Sequence, residues 1–225
     1  MKFSKLIRTE ADPIWQASFE HPFVQGVGDG TLPLDRFRYY VMQDSYYLTH
    51  FARVQALGGA KADTLEITNR MAIHAQGTYE AEMALHRTFT KLLNITEEEQ
   101  RAFKPAPTAY AYSSHMYRAA QFGHLGDLIA AILPCYWLYY EIGEQLKYKR
   151  PKEPIYQEWI KTYGSDWFKE LVYEQINRLD QIASQVTELD RNRMKDHFVI
   201  SCQYEYLFWE MAYTLEKWPI EAYLK

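Results

Sequence analysis

Apolar residues in this chain recur at intervals of three and four and almost never alternate at intervals of two, so the sequence predicts helices and almost no strand. From Pro33 to about Ala60, the residues Phe37, Tyr40, Val41, Asp44, Tyr47, Leu48 and Phe51 fall on one stripe. That predicts a long helix with an acid on its buried face. Asp63 to about Leu93 predicts the next helix despite Gly77, and Asn94-Ile95-Thr96 followed by Glu99 has the form of a capping box opening a short helix to Phe103. Lys104 to Pro107 breaks it. Thr108 to Gln121 leads through Gly123 into a helix that contains Pro134 and Cys135 and runs to about Lys149, where Arg150-Pro151 stops it. Glu153-Pro154 starts a helix to Tyr163 with Gly164 as its cap; Ser165 to Ser184 and Leu189 to about Trp218 give the last two. Nearer the start, Ser4 to about Glu20 has helical spacing around Asp12-Pro13, which predicts one kinked helix or two pieces, ended by His21-Pro22. The segment from His21 to Pro33 holds Gly26, Gly28 and Gly30 and reads as a turn, because it lacks the lysine of a phosphate-binding loop and follows no strand. Together these elements predict an all-α bundle of long antiparallel helices, with no internal repeat and no sustained heptads.

A chain of 225 residues can bury one large core, and no linker or low-complexity run divides it, so a single domain over residues 1–225 is expected. Lysine and arginine total 25 against 29 acids, without a basic cluster interleaved with aromatics, which makes nucleic acid an unexpected partner. The segment Met1 to Arg8 lacks an apolar signal core, and no window approaches the roughly 18 to 20 apolar residues of a membrane span. A cytoplasmic protein without membrane contact is expected. The two cysteines, Cys135 and Cys202, make neither a disulfide framework nor a CxxC pair, so reduced thiols are expected.

Chemistry enters through one unusual juxtaposition. Cys135 follows Pro134 inside an aromatic-rich helical segment, and a proline there removes a backbone donor, leaves a carbonyl near Ala130 without its usual partner and bends the helix. Two readings stand: a presented thiol, or a small buried hydrophobe beside a packing kink. Its surroundings bear on the choice. The composition holds 19 tyrosines, 11 phenylalanines and 6 tryptophans, enough to build either a large core or a pocket for a flat polar ligand. Asp44 and Tyr47 are three apart and share a helical face; Cys135 and Tyr139 are four apart and do the same; Glu205 lies among Phe208, Trp209 and Ala212. A carboxylate on an apolar face stays protonated or finds a partner, so two acids, a thiol and several tyrosines in one interior suit nucleophilic and acid–base chemistry. Taken singly, each acid is more often a surface or salt-bridged residue than a chemical group, and Cys202 is expected in the core.

The segments His21 to Pro33, Tyr39 to Leu48, Leu133 to Glu141 and Tyr204-Glu205 with Phe208-Trp209 resemble, in this order and over essentially the whole chain, the TenA/thiaminase II family. The resemblance implies a haem-oxygenase-like helical bundle, a homotetramer, no metal or cofactor, and a small-molecule aminopyrimidine substrate. The reaction it implies converts 4-amino-5-aminomethyl-2-methylpyrimidine to its hydroxymethyl analogue in thiamine salvage, with cleavage of thiamine as a second activity. By the same resemblance, Cys135 is the nucleophile, Glu205 the proton donor to the leaving group, Asp44 the acid that hydrogen-bonds the pyrimidine and Tyr47 the hydroxyl beside the thiol. Tyr139 and Tyr163 are further substrate contacts, and Tyr112 and Phe208 are ring-stacking walls.

Two rival functions are weighed against this. A haem or di-iron oxidase would draw on His74, Glu80, Glu82 and His86, but bundle di-iron sites want Glu-x-x-His on two helices, and here Glu82 and His86 are four apart with no matching pair elsewhere. A non-enzymatic pyrimidine-binding or regulatory protein would leave Cys135 dispensable.

Overall fold

The computed structural model describes residues 1–220, with the side chains of Glu82, Leu85, His86 and Arg87 outside the description, so the two rival ligands Glu82 and His86 are not placed. Within it the chain forms eleven helices and no strand: α1 (Phe3–Glu10), α2 (Asp12–Glu20), α3 (Pro22–Asp29), α4 (Leu34–Ala60), α5 (Leu65–Leu92), α6 (Glu97–Ala102), α7 (Pro107–Phe122), α8 (Leu125–Leu146), α9 (Pro154–Tyr163), α10 (Asp166–Ala183) and α11 (Glu188–Thr214). None of them is long and apolar enough to cross a membrane.

The boundaries follow local chemistry. Pro13 sits in the first turn of α2 and separates it from α1, so the N-terminal segment is two pieces. At α6, the Thr96 hydroxyl accepts from the Glu99 backbone N–H at 3.2 Å while the Glu99 carboxylate accepts from the Thr96 N–H at 2.9 Å, the reciprocal box its sequence predicts. Two helices end early: α8 stops at Leu146 rather than near Lys149, and α11 at Thr214, where Leu215 turns left-handed with φ 57°.

The segment from His21 to Pro33 departs from expectation, for it is mostly helix. Pro22 supplies the fixed φ of a first helical turn, the His21 imidazole accepts from the Phe23 N–H at 3.1 Å, and Gly30 closes α3 at φ 74°. The other glycines serve packing: a Cβ on Gly26 would meet Leu32 at 3.0 Å, and one on Gly28 would meet Leu146 at 2.8 Å.

α8 is apolar on nearly every side and forms the axis of the bundle, packed by α11, α10, α7, α9 and α4. Its start is fastened to α11 by a bidentate pair, in which Arg193 donates to both oxygens of the fully buried Asp127 at 2.9 Å. At Pro134 the helix lacks one donor, and on that stretch the Ser201 hydroxyl of α11 donates to the Ala131 carbonyl at 2.7 Å. The helix that carries the cysteine is thereby tied, close to its proline, to the helix that carries Glu205. α4, α8 and α11 all touch one another, so the three chemistry-bearing helices share one interior.

Candidate active site

On α8, Cys135 is half-buried while its neighbour Tyr136 is buried. α4 presents Asp44 and Tyr47 one turn apart, and both are buried, as the three-residue spacing requires. α11 contributes Glu205, 2% exposed, and Phe208 three residues on. Tyr112 enters from α7 and Tyr139 from α8 one turn beyond the cysteine, while Tyr163 is the last residue of α9. The fold thus brings together all eight residues singled out in the sequence.

Their contacts are specific. The Tyr112 hydroxyl donates to Glu205 Oε1 at 2.6 Å, so this residue, expected as a stacking wall, is a hydrogen-bond partner of the acid. Tyr112 stacks on Tyr204 at 5.2 Å and lies 4.8 Å from the Tyr47 ring, and Phe208 meets Tyr47 at 5.7 Å and Tyr40 edge-on at 6.0 Å. On the far side, Trp159 Nε1 donates to the Tyr40 hydroxyl at 3.3 Å, which itself donates to the Tyr139 hydroxyl at 3.3 Å. The Tyr163 ring packs 4.8 Å from both Tyr139 and Trp159.

Burial controls the charges. With its carboxyl shut away from water, Glu205 titrates at about 8 instead of 4.5, the Tyr112 hydrogen bond opposing the shift only in part. At neutral pH it is therefore mostly a neutral acid. The Cys135 thiol is pushed well above its ordinary value by burial and then by the neighbouring Glu205 charge, while a hydrogen bond from Tyr47 works in the other direction. Tyr47's own hydroxyl is raised by burial and lies beside both the Cys135 thiol and the Tyr112 hydroxyl. Asp44 acts on the same interior: its charge bears on Tyr40, Tyr139, Tyr163 and Cys135.

Tyr163 owes its place to a glycine. A Cβ on Gly143 of α8 would lie 2.5 Å from the Tyr163 carbonyl carbon and from the Gly164 nitrogen, so only glycine lets the end of α9 rest on α8. We expect Gly143→Ala to destabilise the fold by about 1–3 kcal/mol and to raise KM by displacing Tyr163, measured by denaturant unfolding and steady-state kinetics. Equal stability and kinetics in the variant would refute this.

Sequence reasoning passed over several members of the site. Tyr40 links Trp159 to Tyr139; its place on the buried stripe was legible, its hydrogen-bonding role was not. Beside Cys135, Tyr136 forms a second network, taking part in hydrogen bonds with Gln55 and with His74 Nδ1 at 3.0 Å, and Thr78 donates to Gln55 at 2.9 Å. His74, one of the rival metal ligands, is thus engaged with Tyr136 on one nitrogen and faces Glu174 at 3.3 Å on the other, and burial lowers its pKa. Glu80 is exposed and bonded to Gln76 at 2.8 Å. Among the described residues no three of His, Cys, Asp and Glu gather as a metal site would require. Cys202 is fully buried, as expected of a core residue.

The architecture places the chain among the haem-oxygenase-like helical proteins. A solved domain with a heme oxygenase-like fold from Shewanella denitrificans OS217 superposes with a TM-score of 0.74 over 96% of this chain and 93% of that one, at 17% identity, a likeness of fold alone. Within that class the chain belongs to the TENA/THI-4/PQQC family, whose model matches residues 8–215. It is 63% identical to the aminopyrimidine aminohydrolase of Bacillus subtilis strain 168 over 222 residues, which cover 99% of this chain and 94% of that protein. A TenA homologue from P. horikoshii OT3 superposes with a TM-score of 0.87 at 30% identity, over 95% of this chain and 99% of the other.

Proposed function

We propose that the protein is an aminopyrimidine aminohydrolase of thiamine salvage, which also cleaves thiamine, through a covalent adduct between Cys135 and the pyrimidine. The observation that carries the reading is the proximity of the Cys135 thiol, with the Tyr47 hydroxyl beside it, to a carboxyl group that is mostly neutral at pH 7, Glu205. Its similarity to the Bacillus aminohydrolase over nearly its full length supports the same substrate class.

A pyrimidine held by Asp44 and the Tyr139 and Tyr163 hydroxyls, between the Tyr112 and Phe208 rings, has its C6 carbon open to the thiol. Sulfur bonds to C6 as the thiol proton passes to the ring nitrogen. Electrons from the 4-amino group then expel the leaving group from the C5 methylene, with Glu205 giving its proton to the departing amine. Water adds to the exocyclic methylene and returns a proton to the Glu205 carboxylate. Finally the carbon–sulfur bond breaks, the ring nitrogen gives its proton back to sulfur, and the hydroxymethyl product remains with ammonia. No cofactor takes part in this scheme. The acid must begin protonated, so kcat/KM for the aminomethyl substrate is expected to fall as pH rises through about 8, where free Glu205 loses its proton. A pH–rate profile that stayed flat to pH 9.5 would refute the assignment.

The test of the function is release of hydroxymethylpyrimidine by the purified protein, with the aminomethylpyrimidine and thiamine compared side by side and with chelator present. Turnover of neither would overturn the proposal and favour a binding role. The family resemblance further supports a cytoplasmic homotetramer, and exposed apolar side chains such as Phe122 and Tyr148, each 80% exposed, provide surface for assembly. Sedimentation equilibrium would measure it.

A further inference from the structure

A cavity of about 270 Å³ reaches Cys135 from the surface between α5, the end of α9 and the start of α10. Asp44, Tyr112, Glu205 and Phe208 are absent from its walls, so it is a space adjoining the pyrimidine-holding cluster and meeting it at the Cys135 thiol and Tyr163. Its walls are aromatic: Phe51, Tyr136, Tyr163, Trp167 and Phe168 all face it, with ring centroids 5.3 Å apart for Phe51 and Tyr136 and 5.2 Å apart for Tyr163 and Phe168. The formal charge along this lining is the Glu80 carboxylate at the exposed rim, since burial holds His74 towards its neutral form. An aromatic lining with one carboxylate and no lysine or arginine suits a cationic ring.

The reaction specifies where such a ring would come from. Sulfur adds to the carbon beside the one that bears the methylene, so whatever leaves the methylene is attached about three bonds from the carbon held by Cys135. Ammonia needs almost no room there; a heterocycle needs a chamber. We propose that this cavity is the leaving-group subsite, which receives the positively charged thiazolium ring of thiamine, or a cationic aromatic leaving group of similar size, while the pyrimidine occupies the Asp44–Glu205 cluster. The inference rests on the proposed cysteine-dependent reaction and adds to it a second binding site with its own selectivity.

Gly77 gives a way to close that chamber alone. It lies on α5 in the cavity wall, and a Cβ built on it meets nothing within 4 Å, so neither backbone conformation nor packing demands glycine there. Gly77→Leu projects a side chain into the cavity, and Gly77→Ala serves as the control for helix effects, expected to be as stable as the parent or more so. The experiment measures kcat/KM of the parent and of both variants for thiamine and for the aminomethylpyrimidine, with thermal unfolding of each protein. In Gly77→Leu the ratio of thiamine to aminomethylpyrimidine kcat/KM is expected to fall about tenfold or more, with turnover of the small substrate retained. Glu80→Gln, a change at an exposed position that folding should tolerate, is expected to lower the same ratio about two- to fivefold at low salt.

A uniform loss for both substrates in Gly77→Leu would make the cavity an entrance passage and overturn the subsite. So would an unchanged ratio in both Gly77→Leu and Glu80→Gln, or a parent protein that hydrolyses the aminomethyl compound and never cleaves thiamine. A parent that turns over neither substrate overturns the proposed reaction instead, so the two failures are distinguishable.

Discussion

Cys135→Ala is expected to lower turnover of both substrates by about 10³-fold or more while leaving the helical bundle intact. The step that fails is specific: without sulfur nothing adds to the ring, the pyrimidine stays aromatic, and its electrons cannot expel the group on the methylene. The fold should tolerate the change because the side chain is small, half-buried and beside a cavity rather than locked into close packing. Cys135→Ser sharpens the result. A hydroxyl fills the same place and can accept from Tyr47, but it is a far weaker nucleophile than a thiol, so the serine protein should bind substrate and remain nearly inactive. Intact-protein mass spectrometry after acid quenching should find a pyrimidine adduct on the parent alone. Full activity in Cys135→Ala would sink the covalent mechanism, and with it the reading of Tyr47 as the hydroxyl that supports the thiol.

Most of the helices were legible because their signals are local. Thr96 with Glu99, Pro154 and Gly164 mark ends wherever they occur, and the stripe through Phe37, Tyr40, Asp44, Tyr47 and Phe51 needs only the helical period. α3 was missed because three glycines in nine residues read as loop chemistry, whereas Gly28 is there to admit Leu146 of α8, far along the chain. That requirement is tertiary and leaves no local trace. The site divides in the same way. Each helix shows its own pair, Asp44 with Tyr47 or Cys135 with Tyr139, but the meeting of α4, α8 and α11 depends on how helices pack, and only the family resemblance anticipated it. Connecting residues were the hardest to see. Among 19 tyrosines nothing marks the hydroxyls of Tyr40 or Tyr136 as linking other groups, and Ser201 betrays itself only by lying one turn before Glu205 on the same face.

Glu205→Gln separates what this carboxyl does for the reaction from what it costs the fold. The amide cannot give a proton to a departing amine or take one from water, so hydrolysis of the aminomethyl substrate should fall by about 10²- to 10⁴-fold. Its carbonyl still accepts from Tyr112, so the buried hydrogen bond survives. Stability should move the other way. In the folded protein Glu205 keeps its proton up to a pH of about 8, whereas unfolded it releases the proton near its ordinary 4.5. Between these values the folded state binds the extra proton, so this group's contribution is fully present below pH 4.5 and is lost as pH rises through 8. The loss is on the order of 5 kcal/mol. Glutamine has no proton to lose, so the variant should gain on the parent from about pH 4.5 to about pH 8 and level off above that in denaturant unfolding, with every other titrating group common to both. Parallel stability curves would mean that Glu205 ionises normally in the fold, and the neutral acid required at the leaving group would have to be sought elsewhere. A crossing pair of results, slower chemistry with greater stability at high pH, would identify the buried proton as a strain that the fold carries for the sake of the reaction.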